Sequence, residues 1–243
     1  MAWSIDGRDP PKPGSVPGVG ECHIWAVPIV DDDRWPGLLD ADERARAEKY
    51  RPGPPRLTFV ASRAVQRLVA ARYLQRDPSM VTIRRGCEHC GDPDHGRPAL
   101  ADGGPLDYSV AHSGSWLVMA VVGSGRVGID LEEMRDLAEV DDLAGMTLAA
   151  PEYARYRALA ADDRSTVFYR TWTRKEAVAK LAGQGLCIEP NRIEVDEPVA
   201  TVPHWWSADP IHVRDLPAPS GYAAALASTV EVAAVRLCRP HWT

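Results

Sequence analysis

Two stretches of helical periodicity lie far apart in the chain, each with short alternating segments around it. This feature constrains the fold more than any other. Phe59, Val60, Ala64, Val65, Leu68 and Val69 recur at helical spacing, which predicts a helix over 56–74. Residues 166–181 read the same way and run into Gly183 and Gly185, a residue type that closes helices readily. Alternation predicts strands over 22–30, 106–112, 116–122 and 127–131, with Ser113-Gly114-Ser115 as the turn of a hairpin. Pro28 cannot donate to a ladder, which points to an edge position for the first strand. Asp40 has the chemistry to cap a helix over 41–50, and a further helix is predicted over 151–161. Residues 86–104 are rich in Gly, Asp and Pro and read as a loop, and the tail offers strands near 192–195, 211–213, 222–227 and 230–237. Alternating strands with few helices favour an α+β arrangement over a doubly wound parallel sheet. No internal sequence repeat is visible.

Composition excludes some functions. The net charge is -6 over 243 residues, where a general nucleic-acid binder needs a basic surface. No stretch approaches the roughly 18 apolar residues of a membrane helix. Residues 1–20 lack an apolar core and carry Pro10, Pro11, Pro13 and Pro17, so they read as a mobile tail and not as an export signal. The five cysteines are then expected as reduced thiols in the cytoplasm. Cys87-Glu88-His89-Cys90 followed by His95 has the spacing of half a zinc site. A second Cys-x-x-Cys is missing, so a plain loop and a zinc-held binding module both stand as readings of it.

The chemistry concentrates in three places. In Gly128-Ile129-Asp130-Leu131-Glu132, strand geometry sends Asp130 and Glu132 to one side and Ile129 and Leu131 to a core. Paired carboxylates repel unless something positive lies between them, and magnesium takes such oxygens together with substrate phosphates. On their own these residues fit a strand end facing water more readily than a metal site. In the second helix, Trp172, Glu176 and Lys180 are spaced by four and share a face. The tryptophan implies a packed face, where a carboxylate and an amine would be partly desolvated. Third, His112 stands at a strand end beside two hydroxyls and a glycine, a fitting place to donate hydrogen bonds to a phosphate. A Gly-Lys-Ser/Thr run of the Walker type is absent, although another magnesium-dependent phosphoryl-transfer enzyme would also explain the carboxylates.

Together these segments resemble the two-lobed, broad-specificity (surfactin-synthetase-activating) class of 4′-phosphopantetheinyl transferases. The resemblance rests on residues 128–132, on Trp172 with Lys175-Glu176-Ala177 and Lys180, and on the Gly183/Gly185 pair. His112-Ser113, the Gly96-Arg97-Pro98 turn and the stretch Arg46…Tyr50…Arg63…Arg67 match in order. It spans roughly residues 38–195.

The resemblance implies two similar lobes in a pseudo-twofold monomer, an N-terminal lobe over 21–123 and a C-terminal lobe over 124–243. The metal site would lie at their interface. It implies Mg²⁺ held by Asp130, Glu132 and Glu176, with coenzyme A gripped through its phosphates by Arg46, Arg97 and His112 and approached by Ser113 and Lys175. Arg46 and Arg97 stand where lysine is common in the family, and arginine keeps the charge and adds a bidentate fork. The implied reaction moves 4′-phosphopantetheine onto a serine of an apo acyl or peptidyl carrier protein and releases 3′,5′-ADP. Glu176 would accept the serine proton, directly or through water, and Lys180 would neutralise the leaving phosphate. Arg170 and Arg174 are candidates for a basic rim facing an acidic carrier.

Overall fold

The computed structural model describes residues 9–86, 96–135, 139–183, 189–203, 206–207, 209–240 and 242. Ten strands and five α-helices are described: β1 Glu21–Pro28, α1 Ala41–Glu48, α2 Pro54–Leu74, β2 Ile83–Arg84, β3 Ala99–Leu100, β4 Asp107–Ser113, β5 Trp116–Val122, β6 Val127–Glu133, α3 Val140–Thr147, α4 Ala150–Arg157, α5 Ala161–Ala182, β7 Val199–Ala200, β8 Ile211–Asp215, β9 Tyr222–Ser228 and β10 Ala234–Cys238. The class is α+β. One four-stranded sheet has the order β10-β1-β5-β4, another the order β6-β9-β8-β7, and β2 and β3 form a small ribbon.

Each large sheet buries one face against the other and the opposite face against a long helix. Cys22, Ile24, Val118 and Ala120 of the first sheet meet Val127, Ile129, Leu131 and Leu226 of the second in one core. Trp25, Leu117 and Met119 pack on Val65 and Val69 of α2. Ala225 and Ala227 pack on Ala177, Val178 and Leu181 of α5. Alternation along each strand sorts these residues, since neighbours point to opposite faces.

The long helices start and stop where their chemistry dictates. Asp40 accepts from Glu43 N at 2.8 Å while its own N–H donates to the Glu43 carboxylate, a reciprocal cap for α1. Pro54 and Pro55 open α2, where their missing donors cost nothing. Gly183 closes α5 at φ 73°, a left-handed conformation that glycine reaches without strain.

Three expectations change. First, β1 is central: it pairs with β5 along its length and with β10 in parallel. Pro28 is tolerated because the β10 ladder ends at Trp25, leaving no partner on that side to receive a donor. Second, 192–195 is not a strand. A 3-10 turn covers Pro190–Arg192, and a single bridge joins Glu194 to Thr201. Side chains claim the backbone instead: Val195 N donates to Glu152, and the Ile193 and Val195 carbonyls accept from Lys175 and Arg174. Third, residues from Asp9 onward in the segment read as a tail are anchored. Gly14 N donates to Arg72 O at 2.9 Å, and Pro11 and Pro17 are buried. Helix α3 was not expected; its Gly145 and short length hide the periodicity that seats Ala144 beneath Tyr156 and Phe168.

Candidate active site

The two sheets meet along β4 and β6, which are joined by side chains. Asp107 Oδ2 accepts from Val127 N at 2.8 Å, Ser109 Oγ from Ile129 N at 3.1 Å and Ser113 Oγ from Glu133 N at 3.0 Å. Every pair is offset by 20 residues, so one face of β4 acts as a substitute strand for β6. Ser113 Oγ also donates to Glu132 Oε2 at 2.9 Å. This seam fixes the height of His112 and Ser113 relative to Asp130 and Glu132.

Helix α5 lies directly on the other face of β6. A Cβ added at Gly128 would stand 1.9 Å from the Ala177 carbonyl oxygen, so only glycine lets the helix backbone come this close. That approach sets Glu176 and Lys180, one turn apart, over Asp130. Lys180 Nζ donates to Asp130 Oδ1 at 2.5 Å. Asp130 is 3% exposed, and its Oδ2 is buried with no hydrogen-bond partner. Burial, opposed by Lys180 and reinforced by Glu132 and Glu176, pushes the Asp130 pKa up to about 7. Burial also raises Glu176; Lys180 opposes the shift and Glu132 adds to it.

Asp130, Glu132 and Glu176 therefore share one electrostatic field. Their oxygens, one of them orphaned, suit a hard cation such as magnesium. Among the described residues, however, no three His, Cys, Asp or Glu side chains form a ready-made metal cage. At Asp130 the Lys180 ammonium serves as the counter-charge.

Beside this cluster opens a cleft of about 880 Å³ between the start of α2, strand β4 and the end of α5. Arg46, Arg63, Arg85, Arg97, Arg135 and Lys180 line it, with His112, and none of the described lining residues is acidic. A lining of this charge suits an anion. Arg46 and Arg63 stand over the Phe59 ring at 6.0 and 4.7 Å. Arg97 is aimed by a fork to Asp107 and by a bond to Val127 O at 2.7 Å. His112 presents part of its ring to the cleft; the protein around it strips hydration and, with Lys180, holds its pKa below the ordinary histidine value.

Of the residues singled out in the sequence, Asp130, Glu132, Glu176, Lys180, His112, Ser113, Arg46 and Arg97 converge on the cleft or its carboxylate edge. Lys175 does not. It is 1% exposed and points to the opposite side of α5, where its Nζ meets Glu152 Oε2 at 2.6 Å and Pro190 O at 2.9 Å. Glu152 in turn accepts from Ala149 N and Val195 N, both at 2.8 Å. Lys175 is thus a buried strut, because its neighbour Glu176 faces the site and adjacent helix positions diverge by roughly 100°. Arg174 and Arg170 are both ion-paired with Asp215, and Arg174 also donates to Val195 O. Trp172 stacks on Phe168, as a packed face requires, and Trp206 packs against the cluster beneath α5. Gly185, Trp205 and the loop with Cys87, Glu88, His89, Cys90 and His95 lie outside the described residues. Arg85 and Arg135 were missed: neither stands in a periodic stretch or a motif, and only the fold turns it toward the cleft.

Comparison with known proteins gives one consistent relation. The family model described as the 4′-phosphopantetheinyl transferase superfamily matches residues 126–227, the segment from β6 through β9. The chain is 30% identical over 184 residues to the 4′-phosphopantetheinyl transferase HetI of Nostoc sp., covering 72% of this chain and 75% of that protein. A 4′-phosphopantetheinyl transferase of Bacillus subtilis is 30% identical over 159 residues, 65% of this chain and 66% of its own. The 4′-phosphopantetheinyl transferase AcpT of Escherichia coli (strain K12) is 36% identical over 90 residues, 37% of this chain and 46% of its own.

Proposed function

This chain belongs to the 4′-phosphopantetheinyl transferase superfamily, and from there we propose that it moves the 4′-phosphopantetheine group of coenzyme A onto a serine of an apo acyl or peptidyl carrier protein, with magnesium. The observation that carries the proposal is the junction at Lys180. This one side chain lines a cleft with a cationic wall and also contacts Asp130 of the carboxylate cluster. Phosphoryl transfer asks for that pairing: cations to hold phosphates, and oxygens to hold a divalent ion beside them.

Arg46, Arg97 and His112 bind the phosphates of coenzyme A in the cleft. A histidine with a lowered pKa is neutral near pH 7 and still donates one hydrogen bond. Asp130, Glu132 and Glu176 would hold Mg²⁺, which supplies positive charge to the diphosphate oxygens when bound. Lys180 then exchanges Asp130 for the leaving phosphate, whose growing charge it offsets. The carrier serine oxygen forms a bond to the β-phosphorus, the bond from that phosphorus to the bridging oxygen breaks, and 3′,5′-ADP departs. Glu176 takes the serine proton, directly or through a water. Ser113 orients Glu132 by its hydrogen bond.

The same reading takes the two sheet-plus-helix halves as pseudo-twofold lobes of a cytoplasmic monomer. The described residues contain no helix long and apolar enough to cross a membrane. Incubation with coenzyme A, Mg²⁺ and several apo carrier domains tests the proposal. Carriers should gain the mass of one phosphopantetheine and 3′,5′-ADP should accumulate. Unmodified carriers throughout the panel would overturn the proposal.

A further inference from the structure

The β4–β5 turn that follows His112 and Ser113 is held from the second sheet by a single hydroxyl. Tyr222 opens β9 and stands opposite Glu133 in the ladder with β6. Its Oη donates to Glu133 Oε1 at 3.2 Å, which leaves the lone pairs of that oxygen for other donors. Ser115 N donates to it at 3.3 Å, and Ser115 Oγ lies 3.5 Å away. The Ser115 carbonyl accepts from Ile29 N at 2.8 Å, so both backbone groups of this residue are engaged. Glu133 is fixed from its other side, where Arg135 donates to Oε2 at 2.9 and 3.1 Å.

Two features give this contact more than a strand-joining role. First, the approach is close enough to require glycine. Gly114 takes φ 53°, and a Cβ there would lie 2.3 Å from Tyr222 Oη and 2.9 Å from the Glu133 carboxyl carbon. Second, the contact falls at the site end of the seam. Ser113 precedes Gly114, and its Oγ accepts from Glu133 N and donates to Glu132. The seam bonds run from β4 side chains to β6 backbone, whereas Tyr222 sends a side chain the opposite way. A turn held at Ser113 alone can pivot about that residue. The second bond at Ser115 removes that freedom.

We propose that Tyr222 is a positioning residue: its hydroxyl clamps the β4–β5 turn to β6 and thereby sets the spacing between His112 and Glu132 for the transfer step. The inference rests on the transfer reaction proposed above. His112 and Glu132 belong to different sheets, so their spacing is only as fixed as this junction, and a misplacement of about 1 Å costs on the order of a hundredfold in rate. Tyr222 touches neither substrate nor metal in this scheme.

Tyr222→Phe removes the hydroxyl and keeps the ring against the core between the sheets. Carrier modification by wild type, Tyr222→Phe, Gly114→Ala and the double variant is measured across coenzyme A and Mg²⁺ concentrations, with melting curves and amide exchange on each. Tyr222→Phe should lower kcat roughly tenfold, raise the Mg²⁺ concentration that gives half-maximal rate, and leave KM for coenzyme A within about twofold. The Ser115 amide should exchange faster, because its acceptor is gone. Gly114→Ala pushes on the same hydroxyl, so the double variant should be no slower than the slower single one. Gly114→Ala alone carries the same kcat and Mg²⁺ expectations should Tyr222→Phe fail to fold. Thr229→Val is the control for a lost hydroxyl bond remote from the site: Thr229 Oγ1 accepts from Arg126 N at 2.9 Å beyond the far end of β9, and kcat should be retained. Normal kcat and Mg²⁺ dependence in folded Tyr222→Phe, or unchanged Ser115 exchange, overturns the inference alone. So do losses that multiply in the double variant, or an equal kcat loss in Thr229→Val. A wild type that modifies no carrier overturns the parent reading with it.

Discussion

Lys180 Nζ sits 2.5 Å from Asp130 Oδ1, joining residues 50 positions apart into the contact on which the site turns. The ammonium opposes, without cancelling, the burial that lifts the Asp130 pKa to about 7. It also leaves Asp130 Oδ2 without a partner. Replacing Asp130 with Asn keeps the shape and removes the charge, so the fold should persist while metal and phosphate lose an anchor. Transfer by Asp130→Asn should fall by roughly a hundredfold or more, the usual scale for losing one preorganised charge contact. Carrier modification rates with matched melting curves check this, and near-normal rates would contradict the role given to Asp130.

Lys175 provides the contrasting case. It and Glu152 are nearly sealed from solvent, and removing one member strands the other. Lys175→Met should lower unfolding stability by about 3–5 kcal/mol, as for other broken buried pairs. Lys180→Met, half-exposed at the cleft, should cost far less stability and far more activity. Chemical denaturation and transfer rates on the two variants separate a strut from a site residue. Full activity loss in folded Lys175→Met would return Lys175 to the cofactor side.

Much of this site was legible in the sequence because period alone assigns faces. Asp130 and Glu132 point together by strand alternation, and Glu176 and Lys180 by helical spacing. Lys175 misled because motif adjacency carries no direction: one step along a helix turns a side chain away. The centrality of β1 was hidden because β10 joins it from the far end of the chain. Arg85 was unreadable for a similar reason, because the cleft that it lines is assembled from residues far apart in the chain.

Ser109 tests the seam between the sheets. Its hydroxyl accepts from Ile129 N, and Ile129 is fully buried. Ser109→Ala leaves that donor without a partner and should cost about 1–3 kcal/mol. Amide exchange should accelerate most at Ile129, with smaller effects at Val127, which keeps Asp107. Uniform acceleration across β6 would mean that the seam is not held residue by residue.

His23 gives the protein a defined acid sensitivity. It is 3% exposed on β1, and its Nδ1 lies 2.9 Å from Tyr73 Oη while Nε2 lies 3.1 Å from Glu21 Oε1. Trp25 Nε1 donates to the same Tyr73 oxygen, so the tyrosine proton is directed at His23 Nδ1. Neutral His23 satisfies both neighbours; a second ring proton would oppose the tyrosine hydroxyl. Burial lowers the pKa, against the raising effect of Glu21. A depressed folded pKa contributes stability that is present above the unfolded value, near 6.5, and is lost as pH falls through the folded value. The unfolding free energy of wild type should therefore fall between pH 7.5 and 5 relative to that of His23→Gln, which cannot titrate. The advantage of wild type over the variant should shrink as acid is added. Denaturation at several pH values measures that difference directly, and a gap that widens toward pH 5 would show that His23 is stabilised in its charged form.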